Sequence, residues 1–166
     1  MFSEDIPKTP QELLERIRDD YVKNNYLWTG DIYLPAFDEN CTFTDPTLSF
    51  VGRQTFVTNV ANLQPFLKFM FAGMPYDSLC ASELRSIQLE ETYVQSQWTM
   101  KGQFIALPWK PKINVMGRTK FWFQPTNNSS SSSSSDDGVQ VYFYEEEWEI
   151  PTRDALLQLI TPGDSN

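Results

Sequence analysis

Hydrophobic residues in the first part of the chain recur at the spacing of amphipathic helices. Thr9 and Glu12 have the spacing of a capping box, so a helix is predicted to begin there. Its apolar stripe consists of Leu13, Leu14, Ile17 and Tyr21. A second, short helix is predicted over residues 29–37. A long helix is predicted after Gly52, with a bend or break at Pro65.

From about residue 82 onwards the hydrophobic period changes to two, which is typical of strands. Antiparallel strands are predicted on the segments that contain Ile87–Leu89, Val94–Met100, Val115–Phe123 and Tyr142–Trp148. An earlier short strand is predicted over Cys41–Asp45, where Pro46 ends it, and Thr152 is predicted to cap a short amphipathic helix. Helices first and an antiparallel sheet afterwards predict an α+β domain.

The chain has 166 residues, which suits one domain of ordinary size. We predict an N-terminal tail over residues 1–8, a folded domain over 9–150, and a short C-terminal helix and tail over 151–166. Residues 126–138 contain a run of serines, which predicts a mobile hairpin loop between two strands.

Composition narrows the chemistry. The chain has no histidine, which removes imidazole bases and His-ligated metal sites, and neither a metal nor a cofactor is predicted. The formal charge of −9 argues against nucleic acid as a partner. No apolar run approaches the roughly 20 residues of a transmembrane helix. The acidic start does not have the pattern of a secretory signal or an Arg-rich transit peptide, so we expect a chain that is either cytosolic or already trimmed of a targeting segment. Cys41 and Cys80 are interpreted as reduced core thiols.

The segment Phe43–Gly52, with the order of elements around it, resembles the SnoaL-like branch of the nuclear transport factor 2-like superfamily. Its D-P-x-x-x-F-x-G pattern is similar, more narrowly, to an uncharacterised family of plants, algae and cyanobacteria. The resemblance covers roughly residues 10 to 150. It implies a cone-shaped, cystatin-like α+β barrel, in which a curved antiparallel sheet wraps around about three helices and encloses a pocket. It also implies a chloroplast location; otherwise we expect a cytoplasmic protein.

The last predicted strand departs from that family, which tends to carry His there and Asp three residues later. This chain has Glu146 and Glu149 at the matching places. Alternation leaves two inner faces open, one formed by Tyr142, Tyr144, Glu146 and Trp148 and the other by Val141, Phe143, Glu145, Glu147 and Glu149. If Glu146 points inward, burial raises its pKa toward the range of a general base.

Asp45 has two interpretations. Directly before Pro46, its carboxylate is suited to accept the N–H groups of the following turn. In the fold that the resemblance implies, the same strand end lies near the mouth of the pocket. Arg53, at the start of the long helix, is the predicted partner of Asp45 and a candidate ligand contact.

Aromatic residues at strand spacing are either core or pocket wall. The ligand-binding candidates are Tyr33, Trp98, Trp122 and Tyr144, and core packing is the alternative for the tryptophans and Tyr33. The end of the long helix holds more apolar residues than one buried face requires. This predicts a partly exposed partner surface, or a lid over the pocket, with core packing as the alternative, formed by Phe66, Phe69, Met70, Phe71 and Met74.

Two functions follow as hypotheses. The first is a non-catalytic domain that binds a small apolar molecule or docks onto a larger protein assembly, in a plastid if the resemblance holds. The missing histidine and the lack of a strong catalytic motif favour it. The second is a small cofactor-independent lyase or isomerase for an apolar carbonyl compound, with Glu146 or Asp45 as base and Tyr33 or Tyr144 as donor to an oxyanion. The superfamily resemblance is also compatible with a homodimer.

Overall fold

The protein is described by a computed structural model that covers residues 5–126 and 137–163. In these residues the elements are α1 Pro10–Val22, α2 Tyr26–Thr29, β1 Phe37–Thr44, β2 Ser49–Val51, α3 Arg53–Met70, α4 Tyr76–Leu79, β3 Cys80–Leu89, β4 Tyr93–Gln103, β5 Lys112–Pro125, β6 Val139–Trp148 and α5 Thr152–Leu157. The strands form a sheet in the order β2-β1-β6-β5-β4-β3. The predicted α+β class is confirmed. The serine-rich part of the predicted loop 126–138 lies outside the described residues.

Helix α1 begins where the capping pattern predicts. Thr9 is the N-cap, and its hydroxyl accepts a hydrogen bond from the backbone N–H of Glu12 at 3.1 Å. The Glu12 side chain reaches back one residue further than in a standard capping box and accepts from the N–H of Lys8 at 2.9 Å. The predicted apolar stripe of α1 is buried against the inner face of the sheet.

The predicted helix over residues 29–37 is wrong. Helix α2 ends at Thr29, because Gly30 adopts a left-handed conformation with φ +69° that closes the helix. A single 3-10 turn over Leu34–Ala36 follows, and Phe37 is already the first residue of β1. The strand predicted over Cys41–Asp45 is therefore longer at its start and ends at Thr44.

Two features of the sheet were not predicted. The turn after β1 leads into the short strand β2, which pairs antiparallel with the end of β1. Strand β1 also runs parallel to β6 and joins the first and last parts of the chain. Both pairings of β6 are irregular around Tyr142: Trp122 pairs with Phe143, whereas Phe123 pairs with Val141, so Tyr142 is the extra residue of a bulge.

Two groups of buried apolar side chains hold the fold together. The larger group lies between α1 and the sheet and includes Trp98 and Phe121. The smaller group is formed by α2, the end of α3 and the neighbouring strands, and includes Trp28 and Phe71. Cys41 and Cys80 are both buried and are not joined in a disulfide, and burial raises the pKa of Cys41 to about 12.

Helix α3 is continuous from Arg53 to Met70 although Pro65 lies inside it. Only Leu67 and Met70 of this helix are buried. The side of α3 that faces away from the sheet is therefore not covered by other elements over most of its length. Across the described residues, no helix has the length and apolar character needed to span a membrane.

Candidate functional site

A cavity of about 540 Å³ lies between α3 and the inner face of the sheet. Its walls come from α2, the end of β1, β2, α3, strands β4 to β6 and α5. Most of its surface is aromatic or aliphatic, and the rings on it belong to Tyr26, Trp28, Phe43, Phe50, Phe56, Phe66, Phe104, Tyr144 and Trp148. The residues around its mouth are half-exposed and apolar: Leu48, Leu63, Phe66 and Leu156.

Phe43 is the centre of one wall of the cavity. Its ring stacks on Phe50 at 5.3 Å and on Phe56 at 4.9 Å between centroids, and it touches the ring of Tyr144 at 5.5 Å. These four rings come from β1, β2, α3 and β6, so one ring cluster fixes the relative positions of four elements.

Glu146, which is half-buried, provides the polar inner end of the cavity. The bulge at Tyr142 turns the strand so that Tyr142 points outward, while Tyr144, Glu146 and Trp148 all line the cavity. The hydroxyl of Tyr144 contacts Glu146 Oε2 at 2.5 Å, and the indole N–H of Trp148 donates to Glu146 Oε1 at 3.0 Å. Desolvation by burial raises the pKa of Glu146, although these two hydrogen bonds lower it, and the negative charge of Asp45 raises it further.

A chain of buried hydroxyl groups extends from Glu146 into the core. Beyond Tyr144, the hydroxyl of Tyr26 lies 3.2 Å away, Tyr26 donates to Tyr21 at 2.9 Å, and the hydroxyl of Tyr21 lies 2.7 Å from that of Ser96. Burial raises the pKa of each of these tyrosines, so all three stay protonated at neutral pH.

The number of hydrogens in this chain favours a protonated Glu146. If the carboxylate is ionised and Tyr144 donates to it, the single hydrogen of Tyr144 is used. Tyr26 has already donated its own hydrogen to Tyr21, so the 3.2 Å contact between Tyr26 and Tyr144 has none. A carboxyl hydrogen that points to Tyr144 supplies the missing donor, because Tyr144 then donates to Tyr26. This hydrogen count and the burial that raises the pKa of Glu146 act in the same direction, because both oppose ionisation of the carboxyl group.

Asp45 has the structural role predicted for it and also lies on the cavity. Its Oδ1 accepts from the backbone N–H of Thr47 at 2.7 Å, the hydroxyl of Thr47 at 2.7 Å and the N–H of Leu48 at 2.9 Å. These bonds fix the turn between β1 and β2. The predicted pair of Asp45 with Arg53 is wrong. Arg53 instead donates to the carbonyl of Phe37 at 3.1 Å and lies 3.6 Å from the carboxylate of Glu39.

Four of the predicted ligand contacts do not line the cavity: Arg53, Tyr33, Trp98 and Trp122. Tyr33 lies on the other side of α1, where its hydroxyl donates to the carbonyl of Asp5 and its ring lies under Arg16. Trp98 is wholly buried in the core. Trp122 packs on Tyr93 at 4.7 Å, away from the cavity. Of the predicted ligand contacts, Tyr144 remains on the cavity.

The predicted surface at the end of α3 is divided. Met70 and Phe71 are buried in the smaller core group, which corrects their assignment to a surface. Phe66, Phe69 and Met74 are exposed, and of these three Phe66 lines the cavity. A docking role for the exposed three stays a prediction.

Sequence reasoning missed Tyr26, Tyr21, Ser96 and the phenylalanine cluster as parts of the site. Tyr21 fits the apolar stripe of α1 and was interpreted as core only. No local pattern marks the hydroxyl chain, because its members come from α1, α2, β4 and β6. Within the described residues, no group of three or more Cys, Asp or Glu is placed to hold a metal.

A mainly antiparallel sheet that curves around helices, with an apolar cavity inside, is the SnoaL-like and nuclear transport factor 2-like fold that the resemblance implies. The chain belongs to the family described as Uncharacterized conserved protein (DUF2358), whose profile matches residues 11–131. No curated protein matches the chain.

Three solved structures are similar to this chain. The β subunit of the benzoate 1,2-dioxygenase from Burkholderia mallei ATCC 23344 has a TM-score of 0.50, with 9% identity over 84% of this chain and 87% of that one. A hypothetical protein with a ketosteroid isomerase-like fold from Catenulispora acidiphila DSM 44928, solved in complex with trimethylamine, has a TM-score of 0.49, with 13% identity over 95% of this chain and 99% of that one. A protein from Jannaschia sp. CCS1, described as a SnoaL-like polyketide cyclase, has a TM-score of 0.46, with 13% identity over 90% of this chain and 90% of that one. At 9% identity, the likeness to the Burkholderia mallei protein concerns the fold alone.

Proposed function

We propose that this protein binds one small, mainly apolar molecule in the cavity between α3 and the sheet, without catalysing a reaction on it. The observation that carries the proposal is the cavity itself. Its volume of about 540 Å³ falls within the range of small-molecule sites, and its aromatic walls end at one half-buried carboxyl group, Glu146. Apolar walls supply affinity, and a single polar group at the inner end orients the ligand.

The hydrogen-bond donors around Glu146 favour binding over catalysis. A lyase or isomerase that forms an enolate needs donors aimed at the developing oxyanion. The indole N–H of Trp148 is bonded to Glu146, and the hydroxyl hydrogens of Tyr144 and Tyr26 are used within the hydroxyl chain. No Lys or Arg is present among the described residues that line the cavity. An oxyanion at this end meets no free donor there.

The apolar mouth supports entry of an apolar ligand. Four side chains surround the mouth, and each is about half-exposed: Leu48, Leu63, Phe66 and Leu156. Leaving apolar side chains in water is unfavourable, and a ligand that reaches into the mouth covers them.

The neutral fluorophore N-phenyl-1-naphthylamine tests the proposal, because its emission increases in an apolar site. We expect saturable binding of one molecule per chain. Binding that does not saturate, or no binding by this probe or by a second apolar compound, 2,2-dimethylpropylbenzene, contradicts the proposal.

Two variants of one helix provide a matched comparison. Phe66 and Phe69 are both exposed on α3, at 53% and 66%, but Phe66 lines the cavity and Phe69 does not. Phe66→Ala removes a contact with the ligand and is expected to weaken probe binding about three- to tenfold. Phe69→Ala is expected to leave it unchanged. Equal effects of the two substitutions mean that the probe binds to the helix surface instead.

A second candidate function is the cofactor-independent lyase or isomerase. The observation that favours it is the raised pKa of Glu146 on a cavity that also holds Asp45. A carboxyl group with a raised pKa is better suited to proton transfer than one with an ordinary pKa. Its test is exchange of the α-hydrogens of a small apolar ketone for deuterium in D₂O, followed by mass spectrometry. Exchange that depends on Glu146 and disappears in Glu146→Gln supports catalysis; exchange at the solvent rate argues against it.

A further inference from the structure

The polar groups of the cavity are unbalanced in charge and in hydrogen bonding. Two carboxyl groups, Glu146 and Asp45, reach it, and no Lys or Arg of the described lining residues offsets them. The donors next to Glu146 are used within the protein, whereas carboxyl oxygens have several acceptor positions and Asp45 uses Oδ1 for its three bonds. The site therefore offers acceptors and negative charge to a ligand.

The same end of the cavity is surrounded by rings. Phe43 and its stacked partners Phe50 and Phe56 form one side, and Tyr144 and Trp148 flank Glu146 on β6. The faces of aromatic rings carry partial negative charge and attract ammonium groups, most strongly where water is excluded. Rings and carboxyl groups thus favour the same kind of guest.

We propose that the ligand is an apolar organic cation, an amine or quaternary ammonium compound whose charged nitrogen lies next to Glu146 among these rings. This inference rests on the proposed function, because it names the chemical class of molecule that the same cavity takes. A carboxylate or phosphate ligand is disfavoured, since it meets two acidic groups and no cation on the cavity wall.

Binding of a cation is coupled to the proton on Glu146. The titratable groups that face Glu146 are Asp45, Tyr144, Tyr26 and Tyr21. The tyrosines stay neutral because burial raises their pKa, so Glu146 is the group that changes. A cation favours the ionised carboxylate, so in the pH range where the free carboxyl group is protonated, binding releases the Glu146 proton to solvent, and the Tyr144 hydroxyl then donates to the carboxylate. Affinity for a cation is expected to increase with pH.

Two probes of the same shape separate charge from size. Benzyltrimethylammonium carries a permanent charge, and 2,2-dimethylpropylbenzene has carbon in place of nitrogen. Each is measured by displacement of N-phenyl-1-naphthylamine at pH 5 and pH 8. We expect the cation to bind about tenfold more tightly than the carbon analogue at pH 8, with a smaller preference at pH 5. The affinity of the carbon analogue is expected to stay the same at both values.

The variant Glu146→Gln keeps the shape of the site and removes its ionisable group. It is expected to lose the preference for the cation and its pH dependence, while still binding the carbon analogue. Glu147→Gln is the control, because Glu147 is the next residue on the strand and is exposed. It should keep both the preference for the cation and the pH dependence of that preference. Equal or tighter binding of the carbon analogue by the wild type overturns the cation inference but leaves the proposed function intact. Failure of both compounds and the fluorophore to bind overturns the proposed function itself.

Discussion

Replacing Glu146 by glutamine changes the charge that the inner end of the cavity can carry but keeps its hydrogen bonds. The carbonyl oxygen of glutamine is suited to accept from the indole N–H of Trp148, which now donates to Glu146 Oε1 at 3.0 Å. Its amide N–H₂ is suited to donate to the Tyr144 oxygen, the contact of 2.5 Å, and so supplies the hydrogen that a protonated carboxyl supplies. Glutamine is thus a permanent copy of the neutral side chain.

The direction of the pKa shift fixes the sign of the effect on stability. Burial raises the pKa of Glu146 above its ordinary value of 4.5. Its favourable contribution is therefore complete below about pH 4.5 and is lost as the pH rises through the folded-state pKa. Across that window the free energy of unfolding of the wild type is expected to fall relative to Glu146→Gln by about 1.4 kcal/mol per pH unit. At neutral pH the variant is expected to be as stable as the wild type or more stable.

Urea denaturation at a series of pH values measures this difference. Glu147→Gln is the control: Glu147 pairs with Arg118 at 2.6 Å on the surface, and its loss is expected to cost less than about 1 kcal/mol. Glu146→Leu is the opposite case, since it leaves the donor of Trp148 without an acceptor and is expected to cost about 1–3 kcal/mol. A Glu146→Gln variant that is clearly less stable than the wild type at pH 7, with a deficit that does not change with pH, contradicts a raised pKa of Glu146.

Three further predictions concern the rest of the fold. Burial raises the pKa of Asp20 from 3.8 to about 7, so stability is lost as the pH rises from 3.8 to about 7. Asp20→Asn should remove up to about 4 kcal/mol of this fall in urea titrations. Gly117→Ala places a Cβ 2.5 Å from both the Trp98 ring and the carbonyl oxygen of Glu147 and should cost about 2–3 kcal/mol, against about 1 kcal/mol for Gly73→Ala, which meets no neighbour. Equal costs contradict this. The buried Cys41 should react with a disulfide reagent only on global unfolding, and rapid reaction of the folded protein contradicts its burial.

The sheet could be predicted from the sequence where strands alternate over many residues. Strands β4 and β5 have 11 and 14 residues, and one face of each is buried, so their period of two is sustained. The start of β1 was missed because Asp38, Glu39 and Asn40 interrupt the apolar pattern and favour a turn. The parallel pairing of β1 with β6 joins segments about a hundred residues apart, and no local signal specifies it.

The site was predictable only in part, for a geometric reason. Alternation correctly places Tyr144, Glu146 and Trp148 on one face, but the bulge at Tyr142 puts Val141 on that same inner side, so neither uniform face is right. Arg53 was assigned to the site because it follows Asp45 closely in sequence. Its side chain instead binds carbonyl oxygens at the start of β1, which proximity in sequence does not reveal.

A crystal structure of the protein with N-phenyl-1-naphthylamine tests the central claim most directly. We predict one molecule between α3 and the sheet, with its rings against the Phe43 cluster and its nearest polar neighbour Glu146. Density for the compound on the outer surface near Phe69 and Met74, with the cavity left without it, would contradict the account.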